Sequence, residues 1–167
     1  MTRAAPTVEE IRTLLESVLD PEVPALSVVD LGIVRDVRVE PDGVTIDVTP
    51  TYSGCPAMRE IERAIVGTLK AHGVGPARVR TVFTPAWTTD WISDAGRAKL
   101  RTYGIAPPGP RADESTFVPL MRRARPVPCP FCGSPVTATR SDFGSTACKS
   151  LHYCESCRQP FEHFKAI

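Results

Sequence analysis

Two Cys-x-x-Cys pairs, Cys129-Pro130-Phe131-Cys132 and Cys154-Glu155-Ser156-Cys157, stand 21 residues apart in this 167-residue chain and constrain its fold more than any other feature. That gap suits a hairpin bringing both pairs onto one ion. The main apolar groups around them are Phe131, Phe143, Tyr153, Phe161 and Phe164. A segment of about 40 residues so poor in apolar groups buries too little surface to fold alone, and a metal on the thiolates of Cys129, Cys132, Cys154 and Cys157 would supply the missing energy. Zinc is the expected metal; the same four ligands also take iron, and spacing alone does not choose. Cys148 and His152 lie close enough to Cys154 to compete for a position, and Cys148 reads either as a packed thiol or as an extra ligand. His163 has no partner at ligand spacing and reads as a surface residue.

The six cysteines could instead form disulfides or redox dithiols. The opening residues turn acidic at Glu9-Glu10 before any apolar run develops, and no segment approaches the roughly 20 apolar residues of a membrane span. No signal peptide or anchor is expected, which places the thiols in a reducing compartment, the cytoplasm. A net charge of +1 provides no field for nucleic acid or an anionic membrane, so neither is an expected partner.

The remaining residues describe a second, larger domain. Thr7 and Glu10 have capping-box spacing, and Val8, Ile11, Leu14, Leu15, Val18 and Leu19 recur at helical intervals, predicting a helix over 8–19 stopped by Asp20-Pro21. Residues 33–40 alternate, Pro41-Asp42-Gly43 turns the chain, and Val44, Ile46 and Val48 line a second strand. Pro56 suits a first helical position, opening a helix that buries Met58, Ile61, Ile65, Val66 and Leu69 and ends near Gly73. A third strand is expected over 77–84 and a third helix over 94–103, with Trp87 and Trp91 closing one side of the core. The order helix, strand, strand, helix, strand predicts an α+β fold, a small sandwich followed by a metal ribbon, with too few strands for a Rossmann fold. Residues 1–105 form the expected first domain, 106–127 a Pro-rich linker and 128–167 the ribbon; six of the 17 prolines fall from Pro107 to Pro128 inclusive. Arg122, Arg123 and Arg125 on that linker read as solvated, with phosphate binding the sharper alternative.

Cys55 stands apart from the other thiols, where the second strand meets the second helix. If Pro56 begins the helix, Cys55 caps it, and the free N–H groups there favour the thiolate. Asp20 and Glu22 also leave the end of an element and can meet Cys55 on one edge, either raising its pKa or joining it around a borderline-soft metal. The alternative is that both carboxylates cap backbone while Cys55 packs as a small apolar group; residue types leave the two readings level. Asp30, before Gly32, reads chiefly as a turn residue bonding backbone N–H groups. No phosphate loop, Ser-His-Asp pattern or Glu-x-x-His iron motif is present, which argues against a self-sufficient enzyme, and no catalytic residue is assigned.

Asp20-Pro21-Glu22-Val23-Pro24, Val29-Asp30-Leu31-Gly32 and Pro50-Thr51-Tyr52-Ser53-Gly54-Cys55-Pro56, in this order, resemble the SufT-like iron-sulfur assembly domain over roughly residues 7–105. Joined to Phe143-Gly144-Ser145-Thr146-Ala147-Cys148-Lys149 and Phe161-Glu162-His163-Phe164-Lys165, they are similar over essentially the whole chain to the PaaD family, accessory components of bacterial phenylacetyl-CoA epoxidase systems. The resemblance implies a non-catalytic factor of aerobic phenylacetate degradation whose partners are the epoxidase subunits, above all the ferredoxin-type reductase. It implies help with cluster assembly or insertion, Cys55 being the functional thiol beside Asp20, Glu22 and Asp30, and a transient iron-sulfur cluster or iron as cargo. A stable structural or electron-transfer subunit is the competing expectation. An edge strand in a small open sheet makes a homodimer a further one.

Overall fold

The structure is a computed structural model that describes residues 6–52, 54–109 and 126–167. Most of the expected linker, with Arg122, Arg123 and Arg125, lies outside the described residues. The chain divides into two compact units, residues 1–96 and 97–167.

Unit 1 follows the expected order: α1 (Val8–Leu15), β1 (Val34–Glu40), β2 (Gly43–Val48), α2 (Met58–Ala71) and β3 (Ala77–Thr81). Its sheet has the order β1-β2-β3, with β1 antiparallel and β3 parallel to the central β2. A parallel neighbour needs a crossover, and α2 supplies it. α1 packs on α2 and β1, and α2 packs on β3. Ile11, Leu15, Ile61, Ile65 and Leu69 from the helices meet Val37, Val44, Ile46 and Val48 from the sheet in the buried core. Each such side chain contributes about 1.5–3 kcal/mol through removal from water.

The helix boundaries differ from the sequence expectation in instructive ways. α1 begins as predicted: Thr7 accepts the Glu10 N–H, and the Glu10 carboxylate accepts the Thr7 N–H. It ends at Leu15, not Leu19, because Ser17 and Val18 donate to carbonyls three residues back and tighten the last turn. Leu19 is then pulled into a bridge with Ser27 and stands 52% exposed. α2 starts at Met58, so Pro56 is not its first residue: the chain adopts a left-handed conformation at Gly54 (φ 82°), and the first helical bond runs from Ile61 N–H to the Ala57 carbonyl. β3 stops at Thr81. Of the two tryptophans, Trp87 is buried and donates its indole N–H to the Leu31 carbonyl at 2.9 Å. Trp91 lies partly exposed beneath the Arg35 guanidinium, 3.4 Å from the ring centre.

α3 (Asp94–Tyr103) matches its expected span. In unit 2, β4 (Ile105–Ala106), β5 (Thr137–Ser141), β6 (Lys149–Cys154) and β7 (Pro160–Phe164) form a sheet of order β4-β7-β6-β5. Ala106, at the head of the expected linker, is buried in β4 beside β7. Among the described residues, no helix is long and apolar enough to cross a membrane.

Candidate metal centre and thiol site

The ribbon's two knuckles are built alike. In the first, Cys129 N–H donates to the Ser134 carbonyl (3.0 Å) and Gly133 N–H returns to the Cys129 carbonyl (2.8 Å). In the second, Cys154 N–H donates to the Gln159 carbonyl (3.0 Å) and Arg158 N–H to the Cys154 carbonyl (2.9 Å). Both loops need one left-handed residue, Gly133 (φ 74°) in one and Arg158 (φ 58°) in the other. β6 and β7 continue from the second knuckle as a hairpin, and β5 pairs Thr137 with Cys154, which carries the first knuckle alongside.

The consequence is a cluster in which the sulfurs of Cys129, Cys132, Cys154 and Cys157 all lie within 4.8 Å of one another. Cys129 to Cys157 and Cys132 to Cys154 are each 3.6 Å. A tetrahedral ion with metal–sulfur bonds of about 2.3 Å has sulfur–sulfur edges of about 3.8 Å, so the donors fit one tetrathiolate ion. The Cys157 N–H and other donors draw the Cys154 thiol down to about 7, whereas burial pushes Cys157 up to about 12. Four thiolates this close repel one another, and only a cation lets all four ionise together.

Cys148 does not belong to this cluster; it is buried, with Thr146 Oγ1 3.0 Å from its sulfur. His152 is buried too, stacked on Phe161. His163 is not a surface residue as the sequence suggested. Pairing of β6 with β7 sets it half-buried beside His152, both rings reaching Ser150 Oγ, and burial holds it down to about 4. The two motifs quoted for the ribbon are joined by a partly buried ion pair, Lys149 to Glu162 at 3.0 Å. Glu162 also accepts the Ser145 N–H, clasping the intervening loop.

In unit 1 the structure brings Cys55 to Glu22, 33 residues away, with Sγ 3.8 Å from Oε2. The hydroxyl of Tyr52 donates to the other carboxylate oxygen, Oε1, at 3.3 Å. Asp20 shapes this corner: its Oδ1 accepts the N–H groups of Glu22 (2.7 Å) and Val23 (2.8 Å), a turn that directs Glu22 towards the thiol. Cys55, Glu22 and Tyr52 are each half-buried and open to solvent on one side.

Because α2 begins at Met58, Cys55 is not its cap, and the expected bias to thiolate is outweighed. Burial pushes the thiol up against the pull of the Ala57 N–H; the Glu22 charge adds to the rise, the Tyr52 hydroxyl opposes it, and Asp20 adds again. Tyr52 itself is raised well above the usual phenol range, by burial first and then by Cys55 and Glu22. Tyr52 is the member of this corner that sequence reasoning passed over, although it lies three residues before Cys55.

Asp30 is placed in a turn. Its Oδ2 accepts the N–H (3.0 Å) and hydroxyl (2.8 Å) of Ser27, and Ser93 donates its hydroxyl to Oδ1 (3.4 Å) and its N–H to the Asp30 carbonyl (2.9 Å). Gly32, two residues on (φ 68°), has no room for a side chain, since a Cβ would fall 2.3 Å from the Trp91 carbonyl oxygen.

Comparison with known proteins agrees with both units. Residues 8–82 match the family described as "Iron-sulfur cluster assembly protein", and residues 113–165 match "PaaD zinc beta ribbon domain". The chain is 45% identical, over 99% of its length and 97% of the relative's, to an Escherichia coli protein described as a putative 1,2-phenylacetyl-CoA epoxidase subunit. It is 37% identical to an "Fe-S protein maturation auxiliary factor" of Porphyromonas gingivalis, covering 56% of this chain and 90% of that protein. A crystal structure of the "Domain of Unknown Function DUF59" from Bacillus anthracis superposes with a TM-score of 0.52 at 28% identity, covering 55% of this chain and 89% of that one.

Proposed function

Since the chain belongs to the PaaD family, joining an iron-sulfur assembly domain to a zinc beta ribbon, we propose that it is an accessory protein of aerobic phenylacetate degradation. In this reading it assists iron-sulfur cluster assembly or insertion into the reductase component of phenylacetyl-CoA epoxidase, in the cytoplasm. The observation that carries it is the corner formed by Cys55, Glu22 and Tyr52, which lies inside the segment matching the assembly family. A half-buried thiol beside a carboxylate is suited to take hold of an iron ion and let it go. Residues 1–96 act as the assembly domain and the unit that carries the four-cysteine cluster acts as the docking ribbon, with Asp30 supporting the corner's fold.

Zinc is the ribbon's resident metal, held by Cys129, Cys132, Cys154 and Cys157; when bound it supplies folding energy and no reaction step. Cys148 serves the packing of the loop clasped by Glu162.

The test is iron and acid-labile sulfide per polypeptide in the reductase, co-expressed with the wild-type chain, with Cys55→Ser, and without it. The reading expects low cluster content in the last two cases. Full content in all three would overturn it. A second reading, a stable component of the oxygenase complex, is favoured by the naming of the Escherichia coli relative as an epoxidase subunit. It requires stoichiometric co-purification with the other components and loss of turnover when the chain is omitted from fully metallated enzyme. β1 and β3 are the edge strands of a small sheet, which supports a homodimer, to be checked by sedimentation.

A further inference from the structure

Cys55 is the sole cysteine of unit 1; the other five fall between residues 129 and 157. Iron-sulfur clusters are held mostly by several thiolates, commonly four. The donors gathered around Cys55 are instead oxygens, those of Glu22 and Tyr52, with Asp20 close enough to act on the thiol electrostatically. One soft and one hard donor suit a single borderline cation.

The spacing fits such an ion. With a metal–sulfur bond of about 2.3 Å and a metal–oxygen bond of about 2.1 Å, a tetrahedral ligand pair has its donors about 3.6 Å apart. Cys55 Sγ and Glu22 Oε2 are 3.8 Å apart before any ion enters. Glu22 is held in that pose from two sides, its Oε1 by the Tyr52 hydroxyl and its backbone N–H by Asp20 Oδ1. The site is half-open, so water can complete the coordination and a client can take the ion away.

From this geometry we infer that Cys55 and Glu22 form a two-donor site for one divalent, borderline-soft cation such as Fe2+, with Tyr52 as the positioning residue that keeps the carboxylate facing the thiol. The inference rests on the maturation reading and narrows its cargo from an iron-sulfur cluster or iron to a single ion. Binding exchanges one proton: the thiol and M2+ give the thiolate–metal pair and H+, which leaves to the solvent on the open side of the site. No electron moves.

The test uses the full chain with its ribbon loaded with zinc, titrated anaerobically with Co2+ alone as a spectroscopic stand-in for Fe2+, zinc retention being measured at the end. Wild type is expected to bind one Co2+ beyond the retained zinc, with a sulfur-to-cobalt charge-transfer band that Cys55→Ser abolishes. Glu22→Gln is expected to weaken binding at least about tenfold, and Tyr52→Phe by about tenfold, the effect of losing an orienting partner.

Alkylation of Cys55 by iodoacetamide at neutral pH, read by peptide mass spectrometry, separates a ligand from a mere neighbouring charge. Glu22→Gln removes a repelling carboxylate and should speed alkylation while weakening cobalt binding; Tyr52→Phe leaves that carboxylate in place and should not speed it. If Glu22→Gln binds cobalt as tightly as wild type or tighter, or if zinc-loaded wild type binds no second ion, the two-donor site is refuted. A Cys55→Ser chain that lowers the reductase's cluster content, with no cobalt bound by wild type, would leave the maturation reading standing and remove this one. Cobalt bound as expected with cluster content unaffected would do the reverse.

Discussion

Asp47→Ala should cost unit 1 about 2 kcal/mol. Asp47 projects from the central strand β2 and its carboxylate is almost fully buried by two guanidinium groups. Arg38 on β1 approaches with Nη1 and Nη2 at 3.0 and 2.9 Å, and Arg80 on β3 with Nε and Nη2 at 2.9 and 2.6 Å. One carboxylate thus ties all three strands. Hydrogen bonds to charged groups contribute about 1.5–3 kcal/mol, and solvent screening at exposed Arg80 and half-buried Arg38 keeps the sum near the lower part of that range. For a unit of this size that is a fall in Tm of about 8–16 °C. The arginines beside Asp47 hold its carboxyl well below the usual carboxylate range, by hydrogen bonds first and charge second. A depressed folded pKa stabilises fully above the unfolded value of about 3.9 and is lost as pH falls through the folded pKa. The gap between wild type and Asp47→Asn should therefore be constant above about pH 5 and shrink below about pH 4. Both tryptophans lie in unit 1, so urea melts followed by tryptophan fluorescence report this unit alone. A loss under about 0.5 kcal/mol for Asp47→Ala, or a pH-independent gap for Asp47→Asn, would show that the clamp is an ornament of the open face.

Three further outcomes can be checked. Stripping the ribbon metal with a strong chelator should make residues 126–167 cleavable by trypsin while tryptophan fluorescence stays unchanged; joint loss of both signals would contradict separate units. Glu162→Gln leaves Lys149, whose side chain is 5% exposed, without its carboxylate, and should destabilise the metal-loaded ribbon by about 3 kcal/mol in thermal melts. Unchanged melting would mean that Lys149 finds another acceptor. Gly32→Ala puts a Cβ 2.3 Å from the Trp91 carbonyl oxygen at φ 68°, and should cost about 2–4 kcal/mol and shift Trp91 emission as the Arg35 stack is disturbed. A melt matching wild type would refute that close approach.

The sequence by itself determined what depends on short spacing. Helix and strand periodicities, the Thr7–Glu10 capping box, the Pro41-Asp42-Gly43 turn and the two Cys-x-x-Cys knuckles are written within a few residues of one another, so element order and the four-cysteine cluster could be read directly. Family likeness named Cys55, Asp20, Glu22 and Asp30 as candidates, but not Tyr52. The end of α1 was not legible, because its apolar period runs through Leu19 while the bridge that diverts the chain is made with Ser27. Neither was the start of α2, which turns on the left-handed backbone at Gly54. Only the tertiary structure decided that Glu22 faces Cys55 across 33 residues with Tyr52 behind it, that Asp47 sits between two arginines, and that His163 lies against His152. Those juxtapositions come from strand register and helix packing, which many weak apolar contacts distributed along the chain select together, and no local spacing encodes them.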